Sequence, residues 1–229
     1  MHLPTRTLRR AVRAWDRRRT ARRCSRLPAG AFLHVGCGNT RLPGWINIDK
    51  FRTPAVDYVV DIRYGLPFQG LMYIYAEHFL EHLSYEEATQ FLAHCRQALG
   101  TDGVLRLSTP NLDWVYATQY HLDGWESPAA AVRDCFWMNK AFRGWGHQFL
   151  YNSATLTAVL QHAGFQSVTA HEYGESNHEP LRNLERHERM HDDRQRPHVL
   201  IVEATGIGTD AASVLAAPTA DYLAAVRAR

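Results

Sequence analysis

The stretch Ala31 to Lys50, AFLHVGCGNTRLPGWINIDK, constrains this chain more than any other. One apolar run, Ala31 to Val35, ends in Gly36-Cys37-Gly38, and a second, Trp45 to Ile48, ends in Asp49. Short apolar runs bounded by glycine and turn residues read as buried strands. In an open α/β sheet, glycines after one strand let a ligand approach the backbone. An acid closing the next strand accepts two ribose hydroxyls. The pair therefore reads as half of a nucleoside site.

The remaining sequence offers what such a sheet needs. Its 229 residues suffice for one sizeable α/β domain, and apolar and charged contents of 45% and 21% are those of an ordinary globule. No apolar run reaches the roughly 20 residues that cross a bilayer, and the opening residues contain no apolar core of a signal peptide. Cys24, Cys37, Cys95 and Cys135 are scattered without Cys-x-x-Cys spacing, so reduced thiols in a cytosol are expected and a disulfide framework is not.

Charge is unevenly placed. Residues 1–26 hold ten arginines against one acid, Asp16; removing that +9 from the overall +3 leaves −6 for the rest. Leu8, Val12 and Trp15 fall at helical spacing within 5–26. A basic helix there reads either as a surface for anionic lipid, a polyanion or an acidic partner, or as a helix whose thin apolar stripe packs on the sheet. A peripheral position at the inner face of a membrane fits the first.

Further strands are expected at 56–60, ending at Asp61, and at 71–76, delivering Glu77 and His78. Ser84 and Glu87 form a capping box, and the helix that follows places Ala88, Phe91, Leu92, Cys95 and Leu99 on one face until Gly100. A strand at 104–107 ends at Pro110. Residues 111–151 then carry ten of the 25 aromatics. Ser153 is expected to cap a helix closed by Gly164, followed by strands near 167–172 and 198–203. The domain is assigned to 27–205 and the tail to 206–229, with a weak helix around 221–227.

With those residues in view, the chain resembles class I S-adenosylmethionine-dependent methyltransferases of the seven-stranded Rossmann-like type. The carriers are His34-Val35-Gly36-Cys37-Gly38, Ile48-Asp49, Asp61 with Leu66-Pro67-Phe68, Glu77-His78-Phe79-Leu80-Glu81-His82, Gly103 to Pro110, and Ala163-Gly164-Phe165. Within that superfamily it is similar to small bacterial predicted methyltransferases, type 11-like, through Trp145-Gly146-His147 and Gly174-Glu175-Ser176. The resemblance implies an α/β fold with a mostly parallel sheet whose last strand is antiparallel, and S-adenosylmethionine as cofactor. It further implies that Gly36, Cys37 and Gly38 lie along the methionine part, that Asp49 beside Lys50 takes the ribose, that Asp61 and Ile62 meet the adenine, and that Glu77 and His78 line the floor. Two departures stand out: Thr40 occupies the family's third glycine, and the links between the first three strands are too short for crossover helices. The basic helix would cover the face left bare.

For the chemistry, His147 reads as a general base oriented by Glu175 or Glu81, since an imidazole titrates near neutrality. Trp145, His178 and Arg182 read as acceptor contacts, with 111–151 as a cover over the cleft. The expected reaction is methyl transfer to oxygen of a small or lipid-linked polar acceptor such as a sugar. Two alternatives stay open. His78-Phe79-Leu80-Glu81-His82 matches the His-x-x-Glu-His of inverted zinc peptidases, which would make the chain a zinc hydrolase; in the methyltransferase reading no metal is expected. The other is a non-catalytic protein that binds a cofactor or polyanion. No specific nucleic-acid motif is present.

Overall fold

The computed structural model describes residues 28–187, 197–208 and 214–228. Seven strands form one sheet in the order β3-β2-β1-β4-β5-β7-β6. They are β1 (Phe32–Val35), β2 (Ile46–Asp49), β3 (Tyr58–Val59), β4 (Leu71–Glu77), β5 (Leu99–Pro110), β6 (Ser167–Ala170) and β7 (Val199–Thr205). Pairings from β3 across to β5 are parallel, and β7 runs antiparallel to both β5 and β6. The α/β sheet with an antiparallel last strand matches the sequence expectation. No helix among the described residues is long and apolar enough to cross a membrane.

Because side chains alternate along a strand, each strand feeds two faces. On one, Leu33, Val35, Ile48, Ile74 and Leu105 pack under α1 (Tyr85–Ala98) and α4 (Ser153–His162), which contribute Phe91, Leu92, Leu156 and Val159. The α1 capping box forms as expected: Glu87 N donates to Ser84 Oγ and Ser84 N to Glu87 Oε2, both at 3.2 Å. The helix ends at Ala98, however, and Leu99 already begins β5, so Gly100 is not its stop signal. Asn152, not Ser153, caps α4, because its Oδ1 accepts from Thr155 N. The tail helix α5 (Ala216–Arg227) starts five residues before the expected 221 and packs Tyr222 against Tyr85 and Phe149.

The opposite face is where the short links matter. No helix lies between β1 and β2 or between β2 and β3. Asn47 holds the first link instead. Its Oδ1 accepts from Leu42 N at 2.9 Å and meets His34 Nδ1 at 3.0 Å, while its Nδ2 donates to the carbonyls of Leu42 and Trp45. One buried amide thereby satisfies backbone groups that a helix would satisfy internally. Burial holds the His34 imidazole below its ordinary pKa. Trp45 and Leu42 then pack on Tyr75 and Val104, joined by Leu181 and Leu184 from the connection between β6 and β7. Beneath that connection Arg106 of β5 is fully buried between Glu185 and Glu203, each at 2.7 Å. The expected basic helix at 5–26 lies outside the described residues. In the described part, residues 174–187 and the β1–β2 link cover this face.

Candidate functional site

β1, β2, β3 and β4 all end on one edge of the sheet, and between β1 and β4 the chain order reverses. That is the switch point at which open α/β sheets leave a crevice. Two cavities open there. The first, of about 580 Å³, is lined by Val35, Gly36, Ile48, Asp49, Lys50, Asp61, Ile62 and Phe79, and closed by Trp145, Gly146 and Gln148. The second, of about 510 Å³, is lined by Trp114, Val115, Gln119, Trp137, Lys140 and Ala141 together with Pro110, His147 and His198. His78, His82 and Trp145 line both, so the cavities meet at a neck.

The first cavity takes its shape from two turns. Gly36 has φ +68°, and a Cβ there would stand 2.4 Å from Phe79 Cδ2, so only glycine admits that ring. The loop is fastened to the next strand: Gly38 N donates to Asp49 Oδ2 at 3.1 Å, Thr53 Oγ1 to Gly38 O at 2.6 Å, and Phe51 N to Asp49 Oδ1 at 2.8 Å. Each Asp49 oxygen has thus accepted one bond and retains a second lone pair. Asp61 is gripped by Arg63 through Nε at 2.9 Å and Nη2 at 2.6 Å, which holds its carboxyl below the usual range. Cys37, Gly38 and Glu77 do not line the cavity. Cys37 is buried, which pushes its thiol up to about 11. Glu77 faces the β6–β7 connection, where its Oε1 accepts from Arg186 N, His187 N and His187 Nδ1. Burial works against its charge, but those bonds outweigh it and hold the carboxyl at about 2.

The second cavity is walled by the aromatic insertion, through α2 (Leu112–Gln119) and α3 (Pro128–Arg143). Ser127 caps α3 with Pro128 in its first turn. At the C-terminal end of α3 the chain turns through Trp145, at φ +55°, whose ring receives Lys140 Nζ at 4.7 Å from its centroid. It then returns to the neck. Gln148 N donates to Glu81 O at 2.7 Å and Gln148 Nε2 to His82 O at 2.6 Å.

At the neck, Glu81 is fully buried, and its Oε2 accepts from Thr109 Oγ1 at 3.0 Å. His147 Nδ1 lies 2.7 Å from Ala141 O. A carbonyl only accepts, so Nδ1 carries a proton, and in the neutral ring the lone pair is on Nε2. The His82 and His147 rings are 5.1 Å apart. His78, at φ +44°, sets Nδ1 3.2 Å from Glu81 Oε1 and its ring 4.8 Å from that of His187. His78 and His82 do not stand one helical turn apart: the backbone reverses at His78 and only Leu80–His82 forms a 3₁₀ turn. The helix of an inverted zinc peptidase is therefore absent, against that sequence alternative.

Three expected site residues lie elsewhere. Glu175 is exposed, His178 approaches Tyr73 Oη at 3.5 Å, and Arg182 Nε donates to Ser176 O, all on the connection that covers the other face. None lines either cavity. The sequence placed them between the last two strands but not on a side of the sheet. Conversely, Lys140, Trp114, Trp137 and Gln148 were missed individually; only the aromatic density of 111–151 signalled them.

No family model matches the sequence, and no curated protein matches it. Solved structures that resemble the fold include one described as a SAM-dependent methyltransferase, possible histamine N-methyltransferase, from Thermotoga maritima. It is 13% identical over 86% of this chain and 96% of that one, with a TM-score of 0.48. PigF with SAH is 15% identical over 81% and 53%, with a TM-score of 0.46. A DhpI–SAH complex is 14% identical over 79% and 78%, with a TM-score of 0.45. The chain spans only 32%, 44% and 53% of the first three structures it matches. Likeness at this level is a likeness of fold and assigns no residue a role.

Proposed function

We propose that this chain is an S-adenosylmethionine-dependent methyltransferase. The observation that carries the reading is the pair of cavities at the switch point, sharing His78, His82 and Trp145 as a common wall. One chamber suits a nucleoside, the other an acceptor, and their junction brings the two reactants within reach.

The residues of the first chamber fit this cofactor. Asp49 offers the two remaining lone pairs that a ribose diol needs, and Ile48, Val60, Ile62 and Leu83 supply apolar walls for the adenine. Three acids, Asp49, Asp61 and Glu87, face two cations, Lys50 and Arg63. That excess suits a ligand carrying a positive sulfonium and opposes a pyrophosphate. The loop after β1 also lacks the helix whose N-terminus would hold phosphates, which sets the nicotinamide cofactors aside. When bound, S-adenosylmethionine supplies an electrophilic methyl group; the protein supplies position and dryness.

The acceptor is a hydroxyl of a small or lipid-linked polar molecule, a sugar among the candidates. Trp114, Trp137 and Trp145 offer flat apolar walls, while Gln119, Lys140 and the histidines offer polar contacts. A hydroxyl must lose its proton as the new bond forms, and His147, with Nδ1 held by Ala141 O, presents Nε2 for that role. A positioned base contributes roughly 10²–10⁴ in rate. The carbonyl of Ala141, and neither Glu175 nor Glu81, holds the His147 ring through Nδ1.

Calorimetry with S-adenosylhomocysteine, set against the reduced nicotinamide cofactor, tests the reading. Tight binding of the first alone is expected. Asp49→Ala removes charge-assisted bonds worth about 1.5–3 kcal/mol, so affinity should fall about 10- to 100-fold. Unchanged affinity refutes the ribose assignment, and no binding at all refutes the function.

A further inference from the structure

The neck contains a buried carboxylate without enough partners. Glu81 is fully buried, and its Oε1 makes no hydrogen bond, although His78 Nδ1 stands 3.2 Å away and His82 Nε2 4.0 Å away. Burying such an oxygen unsatisfied is costly. Across from it come two imidazoles. One ligand atom from each of Glu81, His82 and His147 lies within 4.8 Å of the other two.

We infer that Glu81, His82 and His147 form a binding site for a divalent transition cation of the zinc type, at the junction of the two cavities. The donor set is one carboxylate and two imidazoles, which leaves a coordination position open, as in catalytic rather than structural zinc sites. Oxygen-seeking magnesium and calcium are disfavoured by two nitrogen ligands. The supporting shell is already in place. His147 Nδ1 donates to Ala141 O at 2.7 Å, which fixes the tautomer that presents Nε2, and Thr109 Oγ1 holds the other Glu81 oxygen. Second-shell bonds of this kind orient metal ligands. Ligand atoms around zinc sit about 3.3 Å apart at tetrahedral angles, so the three must draw together by up to roughly 1.5 Å. His82, whose side chain is 35% exposed, has the freedom to do so. Because His82 lines both chambers, the open position faces the place where an acceptor's oxygen arrives.

This site differs from the His78–His82 pair that sequence spacing suggests, and the third ligand comes from the far end of the insertion. It rests on the neck geometry and not on the methyl-transfer reading, although the two meet at His147. Its Nε2 has one lone pair, for which a cation and a proton compete.

The test uses the full untagged chain, stripped with a chelator, then titrated with zinc by calorimetry and with cobalt(II) by visible spectroscopy. One cation per chain is expected, with the intense cobalt band of a four- or five-coordinate site containing nitrogen ligands. His82→Ala and His147→Ala should each abolish the band in proteins that unfold at the wild-type temperature. Thr109→Val should weaken zinc binding about 10- to 100-fold. His178→Ala, away from the neck, should change nothing. Absence of the band overturns the site, as does a band that survives both histidine variants. S-adenosylhomocysteine affinity, measured on the same samples, separates the two readings. Retained affinity without cation binding sinks only the cation site, and cation binding without that affinity sinks only the methyl-transfer reading.

Discussion

Replacing Arg106 by methionine is expected to destabilise the protein severely although no cavity residue is touched. Arg106, Glu185 and Glu203 are all buried, and both carboxylates sit 2.7 Å from the guanidinium. Burial alone would lower the Arg106 pKa, but the bonds from Glu185 and Glu203 outweigh it and raise it. Methionine fills much of the same volume while leaving two acids in an apolar layer between Tyr75 and the β6–β7 connection. Removing one partner from a buried ion pair costs about 3–5 kcal/mol. In a domain of this size each kcal/mol lowers Tm by about 2–4 °C, so a fall of roughly 10 °C is expected. Denaturant unfolding with an unchanged m-value should return the same loss. Combining Arg106→Met with Glu185→Leu and Glu203→Leu should restore most of the stability, because an apolar replacement of a whole buried network is often near neutral. A single variant within about 1 kcal/mol of wild type would refute the claim that this network pins 174–187 to the sheet.

Gly36→Ala should cost about 2–4 kcal/mol by thermal unfolding, because it adds a Cβ 2.4 Å from Phe79 at a positive φ. Glu77 gives the protein an acid limb. Its folded pKa of about 2 lies below the ordinary 4.5, so the stability it adds is present above about pH 4.5 and is lost as pH falls towards 2. That gap corresponds to at most roughly 3 kcal/mol, and acid unfolding of Glu77→Gln should show a shallower loss over the same range. Alkylation mapped by mass spectrometry should label exposed Cys135 in the native protein. Cys37 and Cys95 should react only in denaturant, since burial raises both thiols. Once an acceptor is known, His147→Ala should retain S-adenosylhomocysteine binding while turnover drops at least about a hundredfold.

What the sequence by itself determined was local. The strands ending at Gly36, Asp49 and Glu77, and the Ser84–Glu87 capping box, follow from short-range pattern: apolar runs, glycine, and an acid at fixed offsets. The short links even announced that two crossover helices are missing. Boundaries were less legible. Asn152 outcompeted Ser153 as a cap, and β5 began at Leu99, because both choices depend on which backbone groups the neighbouring strands leave unsatisfied. Only the tertiary structure decided which polar residues share a cavity. His147 as base and His178 and Arg182 as acceptor contacts were all expected at one cleft. The antiparallel return through β7 puts 174–187 over the face carrying Tyr73 and Tyr75, while the insertion folds back to set His147 beside Glu81 and His82. Which face a long connection covers is set by strand order and by what the sheet leaves bare, and neither quantity is written in local spacing.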